Sequence, residues 1–229
     1  MAERVPAGGG KTRVGTADVR PLLLRLLTGT AIRRPVRSRF FRLFCRTGSR
    51  VGGLESESKE SKNRMSDQSF AALGMSADVV EALAAMGIDA PFQIQTRAIP
   101  AALSGADILA KAPTGSGKTL AFAVPIVERV TPGDSRPAAL VLVPTRELCV
   151  QVAEVFETLT PSRGLVVASV YGGVPLHAQA ARAKKAHVLV ATPGRLQDLM
   201  DRRLVSLDGV EILVLDEADR MLDMGFKPQ

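Results

Sequence analysis

Ala112 to Thr119 read APTGSGKT, after a short apolar run and before a helical pattern of Leu120, Phe122, Ala123, Val124 and Ile126. Glycines at 115 and 117 let a backbone wrap an anion without Cβ interference. Successive N–H groups and the positive end of the following helix would then face that anion. Lys118 can reach a β- or γ-phosphate as a point charge, and the Thr119 hydroxyl can join a Mg²⁺ shell. The usual eight-residue pattern opens with Gly; here Ala112 stands in that place. A Gly/Ser linker could produce the same letters by chance, but not with a strand before it and a helix after it. Further along, Glu211 to Asp219 read EILVLDEAD, an apolar strand running into carboxylates. Asp216 would hold Mg²⁺, directly or through water, and Glu217 could polarise an attacking water. A helix-capping acidic cluster is the plainer alternative, and Asp219 taken alone fits it.

These two segments need strands that end on one edge. Between residues 66 and 229 short apolar runs alternate with helical stretches: Asp107–Ala110, Ala139–Val143, Leu165–Val170, His187–Ala191 and Glu211–Leu215. Continuous apolar strands separated by helices predict a parallel sheet covered on both faces, an α/β fold with right-handed crossovers. Strand carboxyl ends in such a sheet line one ligand crevice. Ser76 is predicted to cap a helix bearing Val79, Val80, Leu83, Ala84 and Met86, with Gly87 ending it, and a second helix is predicted from Gln93 to Leu103.

The 229 residues are 46% hydrophobic and 23% charged, ordinary for a globular chain. No apolar run reaches the roughly 18 residues of a membrane span. Cys45 and Cys149 form no CxxC, and only two histidines are present, which argues against a disulfide scaffold or a Cys/His zinc site. The net charge of +7 divides unevenly. Residues 1–64 hold 15 Lys+Arg against 5 Asp+Glu, and the remainder 15 against 18. Residues 1–51 therefore read as a disordered basic tail, or as upstream or targeting sequence, with a mitochondrial transit peptide compatible in composition. Residues 52–65 read as a polar linker, and the regular pattern begins at about residue 66.

With both halves of the phosphate site in place, the chain resembles the N-terminal RecA-like domain of DEAD-box ATP-dependent RNA helicases over about residues 69–229. Residues 216–219 spell Asp-Glu-Ala-Asp. GIDAPFQIQ at 87–95 is similar to the Q motif, and Phe70 lies 17 residues before Gly87, like that motif's upstream aromatic. PTREL at 144–148, Gly172-Gly173 and TPGR at 192–195 match motif Ia, the GG element and motif Ib.

The resemblance implies a three-layer RecA-like P-loop NTPase fold that uses ATP and Mg²⁺. It implies ATP contacts from Phe70, Ile88, Gln95, Ala112, Pro113, Thr114, Gly115, Ser116, Gly117, Lys118 and Thr119. Gln95 would read the adenine edge, because a carboxamide offers a donor and an acceptor together. Ile88 takes a place where the family often has an aromatic, and Gln93 replaces the usual proline. Metal contacts would come from Thr119 and Asp216, catalysis from Lys118, Asp216 and Glu217, and coupling between motifs from Asp219. RNA backbone contacts would come from Pro144, Thr145, Arg146, Gly172, Gly173, Thr192, Pro193, Gly194 and Arg195, with little sequence preference. The family continues with a Ser-Ala-Thr motif on a further strand and a second RecA-like domain that supplies an arginine. Neither is expected within these residues, so the chain reads as a fragment without the last strand of its own sheet.

The expected function is ATP- and RNA-binding in a helicase that couples hydrolysis to local strand separation, in the cytoplasm or, with a transit peptide, in mitochondria. A non-catalytic RNA-binding fragment is the alternative, and a small-molecule P-loop kinase is a third. His177, His187, Lys184-Lys185 and Arg202-Arg203 read as ordinary helix, strand and helix-end residues. Cys149 reads as packed.

Overall fold

A computed structural model of the chain describes residues 41–46 and 68–223. The strands are β1 (Phe41–Arg46), β2 (Ile108–Lys111), β3 (Ala139–Leu142), β4 (Val167–Val170), β5 (Val188–Ala191) and β6 (Ile212–Leu215). The helices are α1 (Ala77–Ala85), α2 (Gln93–Leu103), α3 (Lys118–Arg129), α4 (Arg146–Leu159), α5 (Leu176–Ala183), α6 (Pro193–Asp201) and α7 (Ala218–Asp223). The six strands form one sheet in the order β2-β1-β6-β3-β5-β4, and every neighbouring pair is parallel. The five apolar runs read from sequence all become strands. Residues β3, β5 and β6 are buried at all four positions, because both faces of those strands are covered.

β1 was not expected. Residues 41–46 fall in the segment read as a basic tail, ahead of the boundary placed at about residue 66, yet they pair on both sides within the sheet. In FRLFCR, Arg42 interrupts the apolar residues and Arg46 closes them, so the segment carries no strong strand signal of its own. The rest of the 1–51 and 52–65 assignments lies outside the described residues, as does Cys45's side chain.

One sheet face carries the main core. Phe70, Leu83, Ile99, Phe122, Ile126, Phe156 and Leu159 pack there over Val141, Val190 and Val214. Phe122 and Phe156 meet at 6.4 Å between ring centroids, a spacing favourable for tilted aromatic pairs. The opposite face buries Leu140, Leu142, Leu189 and Leu213 together with Leu196 and Leu199 of α6. Cys149 is buried, as expected, and burial pushes its thiol up to about 12. Leu109, alone among the strand leucines described, is 69% exposed.

Two local expectations change. Ser76 occupies the N-cap of α1, but its hydroxyl makes no cap bond. It donates instead to Glu128 Oε2 at 2.9 Å, and Arg163 lies 3.7 Å from the other oxygen of that carboxylate. A buried-side acceptor on α3 competes successfully for the hydroxyl and ties α1 to α3. Ala84, placed on the apolar side of α1, is exposed; Val79 and Leu83 carry that side.

Phe156→Ala should lower unfolding free energy by about 3–5 kcal/mol, the usual range for emptying a buried aromatic site. Leu109→Ser should change it by under about 0.5 kcal/mol, as expected for an exposed position. Urea denaturation followed by circular dichroism checks both.

Candidate nucleotide and nucleic-acid edge

Because every pairing is parallel, the carboxyl ends of all six strands lie on one edge. Ala112, Pro144, Tyr171, Thr192 and Asp216 are the residues that leave β2, β3, β4, β5 and β6 there, or follow within two positions. The strand order then sorts the motifs. The 112–119 loop sits at the β2 end, with the Asp216 turn two strands away on β6. The 144–146, 192–195 and 172–173 loops follow on β3, β5 and β4.

The 112–117 loop is shaped by two left-handed glycines, Gly115 at φ +79° and Gly117 at φ +83°. Gly117 is the N-cap of α3, so Lys118 opens the helix. A Cβ at Gly117 would lie 2.5 Å from Gln95 Nε2 and 2.7 Å from a ring carbon of Phe92. A Cβ at Gly115 would meet nothing within 4 Å. Lys118 Nζ donates to the carbonyls of Ala112 and Pro113 at 2.8 and 2.9 Å. Ser116 Oγ donates to Pro113 O at 2.7 Å. The lysine charge is thereby held at the mouth of its own loop. Pro113, Thr114 and Gly115 are exposed, Ala112 and Ser116 are buried, and Thr119 is half-buried.

Gln95 is 1% exposed. Its Oε1 accepts from Phe92 N at 2.8 Å, and its Nε2 donates to Gly117 O at 3.0 Å. Both functions of the carboxamide that the sequence reading turned toward adenine are thus bonded to backbone, clamping the start of α2 to the end of the loop. Phe92, which the sequence reading passed over, lies half-buried against Gly117. It lies within the 87–95 motif, but its contact depends on which turn it faces across 25 residues. Ile88 is half-buried against the core. Phe70, assigned above to the nucleotide, is 1% exposed and packs within the core cluster. Its ring is thus part of the hydrophobic core.

Asp216 is buried, and its Oδ1 accepts from Glu217 N at 3.1 Å. Glu217 holds φ +50°, a left-handed backbone that is uncommon for a residue with a long side chain. Its Oε2 pairs with Arg220 Nη1 at 3.2 Å. Arg220, one turn into α7, is a second residue that sequence reasoning missed; its three-residue spacing from Glu217 was the available signal. Asp219 lies in the first turn of α7.

On the β3, β5 and β4 side, Thr145 Oγ1 caps α4 by accepting from Leu148 N at 3.2 Å. Pro144 is buried at the end of β3. Arg146 is exposed, and its guanidinium lies 5.2 Å from the Tyr171 ring centroid. Gly172, Gly173 and Gly194 are exposed. Gly173, at φ +83°, has Arg146 Nη1 3.2 Å from where its Cβ would be. Thr192 is half-buried at the N-cap of α6, and Pro193 is buried. Arg195 departs from expectation. Its side chain is 12% exposed, and Nη1 donates to Val174 O at 2.7 Å and Gln179 Oε1 at 2.8 Å. Nη1 thereby ties α6 to the 172–175 turn and to α5, while Nε is buried without a hydrogen-bond partner.

Among the described residues no cluster of three or more His, Cys, Asp or Glu could hold a metal by itself. His187 is buried and bonded to backbone at Val166 N and Pro132 O. No described helix is long and apolar enough to cross a membrane.

Comparison with known proteins places the chain in a family. Residues 92–229 match the family model described as DEAD/DEAH box helicase. The chain is 48% identical over 159 residues to the RNA helicase CrhR of Synechocystis, covering 69% of this chain and 32% of that protein. It is 44% identical over 177 residues to DEAD-box ATP-dependent RNA helicase 52A of Oryza sativa, covering 70% and 29%. Among solved structures, a DEAD box protein from Methanococcus jannaschii aligns with a TM-score of 0.66 and 40% identity, covering 69% of this chain and 44% of that one. A hypothetical ATP-dependent RNA helicase from Sulfolobus tokodaii aligns at 0.62 and 41%, covering 66% and 44%. The fold is RecA-like, as expected. The chain spans about a third of the length of these curated relatives.

Replacing Gly117 by Ala should destabilise the protein clearly more than Gly115→Ala in the absence of any ligand. Both place an L side chain in a left-handed backbone, at roughly 1–3 kcal/mol. Only Gly117→Ala also displaces Gln95 and Phe92. Thermal unfolding of the two variants side by side measures the difference.

Proposed function

The chain belongs to the DEAD/DEAH box helicase family, and from that premise we propose that it is the ATP- and RNA-binding first RecA-like domain of an RNA helicase. The observation that carries the reading is the shared carboxyl edge. The β2 and β6 ends present a P-loop with a lysine and an acidic pair, and the β3, β5 and β4 ends present exposed glycines and Arg146 beside them.

The donor set fits Mg²⁺ held together with a nucleotide. Thr119 and Asp216 supply one hydroxyl and one carboxylate, and Mg²⁺ commonly takes one or two protein oxygens while phosphates and water complete its shell. When bound, the ion would supply neutralisation of phosphate charge. Lys118 would exchange its two carbonyl bonds for phosphate oxygens, which requires the loop mouth to open by a small shift. Gln95 acts as a brace between the loop and α2; reading the adenine edge requires it to release one of its two backbone bonds. Glu217, whose carboxylate Arg220 holds, would accept a proton from water. Arg146, Gly173 and Gly194 would track an RNA backbone through phosphate and sugar, with Thr192 beside them. Arg195 would shape that surface from behind.

In the whole enzyme, closure of a second RecA-like domain onto ATP and RNA, and reopening after hydrolysis, would separate strands locally. That domain is also expected to supply an arginine to the γ-phosphate, a contribution worth roughly 10³–10⁵ in rate.

Titration with a fluorescent ATP analogue and with single-stranded RNA tests the reading. The 229 residues should bind both, and Lys118→Ala should lose ATP while keeping RNA. ATP turnover by the 229 residues should stay near background with or without RNA. Failure of Lys118→Ala to affect ATP binding, or equal binding of ATP and GTP by the native chain, would overturn the nucleotide assignment.

A further inference from the structure

Arg146 opens α4 beyond the carboxyl end of β3, and Tyr171 directly follows β4 on the same edge, with β5 between those two strands. Arg146 Cζ lies over the Tyr171 ring, 5.2 Å from its centroid. That is inside the roughly 6 Å at which an aromatic face attracts a guanidinium. We propose that Tyr171 is a positioning residue for Arg146: its ring holds the guanidinium in place while leaving the N–H donors open to a phosphate of the RNA backbone. The inference rests on the RNA reading given above and adds to it the residue that orders one of its cations.

The way other arginines are held makes the contrast. Arg163, Arg195 and Arg220 each pair with a carboxylate, and Arg163 and Arg195 also donate to backbone carbonyls. Those bonds occupy donors. Arg146, among the described residues, has no salt bridge and no side-chain hydrogen bond, and its charge meets the Tyr171 ring instead. A ring face fixes a cation without consuming any of the five guanidinium N–H groups. A carboxylate in the same place would fix it too, but would repel an incoming phosphate. An exposed, ordered arginine with its donors unspent suits a planar, two-pronged grip on phosphate oxygens.

The ring is itself firmly mounted. Tyr171 is half-buried and packs against the main core, whereas Arg146 is exposed. The Tyr171 hydroxyl makes no hydrogen bond to a described residue, so the ring is the part of the side chain that acts. The turn that follows is tied at Val174 O by Arg195 at 2.7 Å. Gly173 completes the slot: a Cβ there would lie 3.2 Å from Arg146 Nη1. The guanidinium thus sits between an aromatic face and bare backbone. A long exposed side chain loses rotamer freedom when it grips a ligand, and an arginine already placed on a ring has less to lose.

Fluorescein-labelled oligouridine, titrated against the full 229-residue chain by anisotropy, tests this in a double-mutant cycle of Tyr171→Leu and Arg146→Ala. Tyr171→Leu should weaken binding about two- to fivefold, the size of an exposed cation–π contact. Tyr171→Phe keeps the ring and should bind as the native chain does. With Arg146→Ala already present, Tyr171→Leu should change nothing further. A merely structural role for the ring would weaken binding equally in both backgrounds. The chain holds one tyrosine and no tryptophan, so ring-labelled tyrosine gives NMR signals of Tyr171 alone. Those signals should shift on Arg146→Ala and on addition of oligouridine. Should Tyr171→Leu fail to fold, the ring signals in Arg146→Ala decide. Equal weakening by Tyr171→Leu with and without Arg146, an equal loss in Tyr171→Phe, or ring signals unmoved by Arg146→Ala overturns the proposal. If Arg146→Ala weakens binding and Tyr171→Leu does not, the RNA reading stands and this proposal alone falls. If Arg146→Ala leaves binding unchanged, the placement of RNA at Arg146 falls with it.

Discussion

Strand direction is the constraint on which the rest of this molecule depends. A parallel strand cannot deliver its carboxyl end anywhere but the edge its neighbours use, so five parallel pairings collect five separate loops along one line. The sequence places the P-loop and the acidic pair nearly a hundred residues apart, with three other loops between them. Crossover helices absorb that intervening chain, and both sheet faces are buried beneath them. Strand order then does the sorting. β2 and β6 bring phosphate chemistry to one stretch of the edge, and β3, β5 and β4 bring exposed glycines and Arg146 to the next.

Within that frame, several polar side chains serve the backbone rather than a ligand. Gln95 is buried with both ends of its amide engaged. In a low-dielectric interior an unmet amide is costly, so such a residue rigidifies whatever it joins. Here it joins the first turn of α2 to the glycine that caps α3, so the entry to the P-loop inherits the order of two helices. Arg195 plays the same part for the 172–175 turn. Lys118 and Glu217 are different in kind. Each is held by only one or two polar contacts near the surface, to Ala112 and Pro113 or to Arg220, and such contacts exchange readily for those of a ligand.

The left-handed residues mark where the edge is under tension. Gly115 and Gly117 meet the requirement without a Cβ, but Glu217 meets it with a full side chain. A strained non-glycine residue directly after the buried Asp216 is a feature that persists only where neighbours fix it. Asp216 Oδ1 on the Glu217 amide and Arg220 on its carboxylate are two such restraints.

By itself the sequence determined the fold class, the five strands from β2 to β6 and the placement of each motif at a strand end. Hydrophobic periodicity and glycine chemistry are local, and a parallel sheet follows from them through general rules of chain connection. The family resemblance was also legible there, since it rests on short contiguous runs. Tertiary structure alone decided which way individual side chains turn. Phe70 and Gln95 carry the letters of ligand contacts but are enclosed, and Arg195 points inward, because their partners come from Gly117, Val174 and Gln179 on other elements. Phe92 and Arg220 gained roles from turns they happen to face. β1 was illegible for a related reason. A six-residue run interrupted by arginines gives no strong signal of its own, and its pairing is set by Ile108–Lys111 and Ile212–Leu215. Pairing across a sheet is a property of three segments together, and no single segment's sequence encodes it.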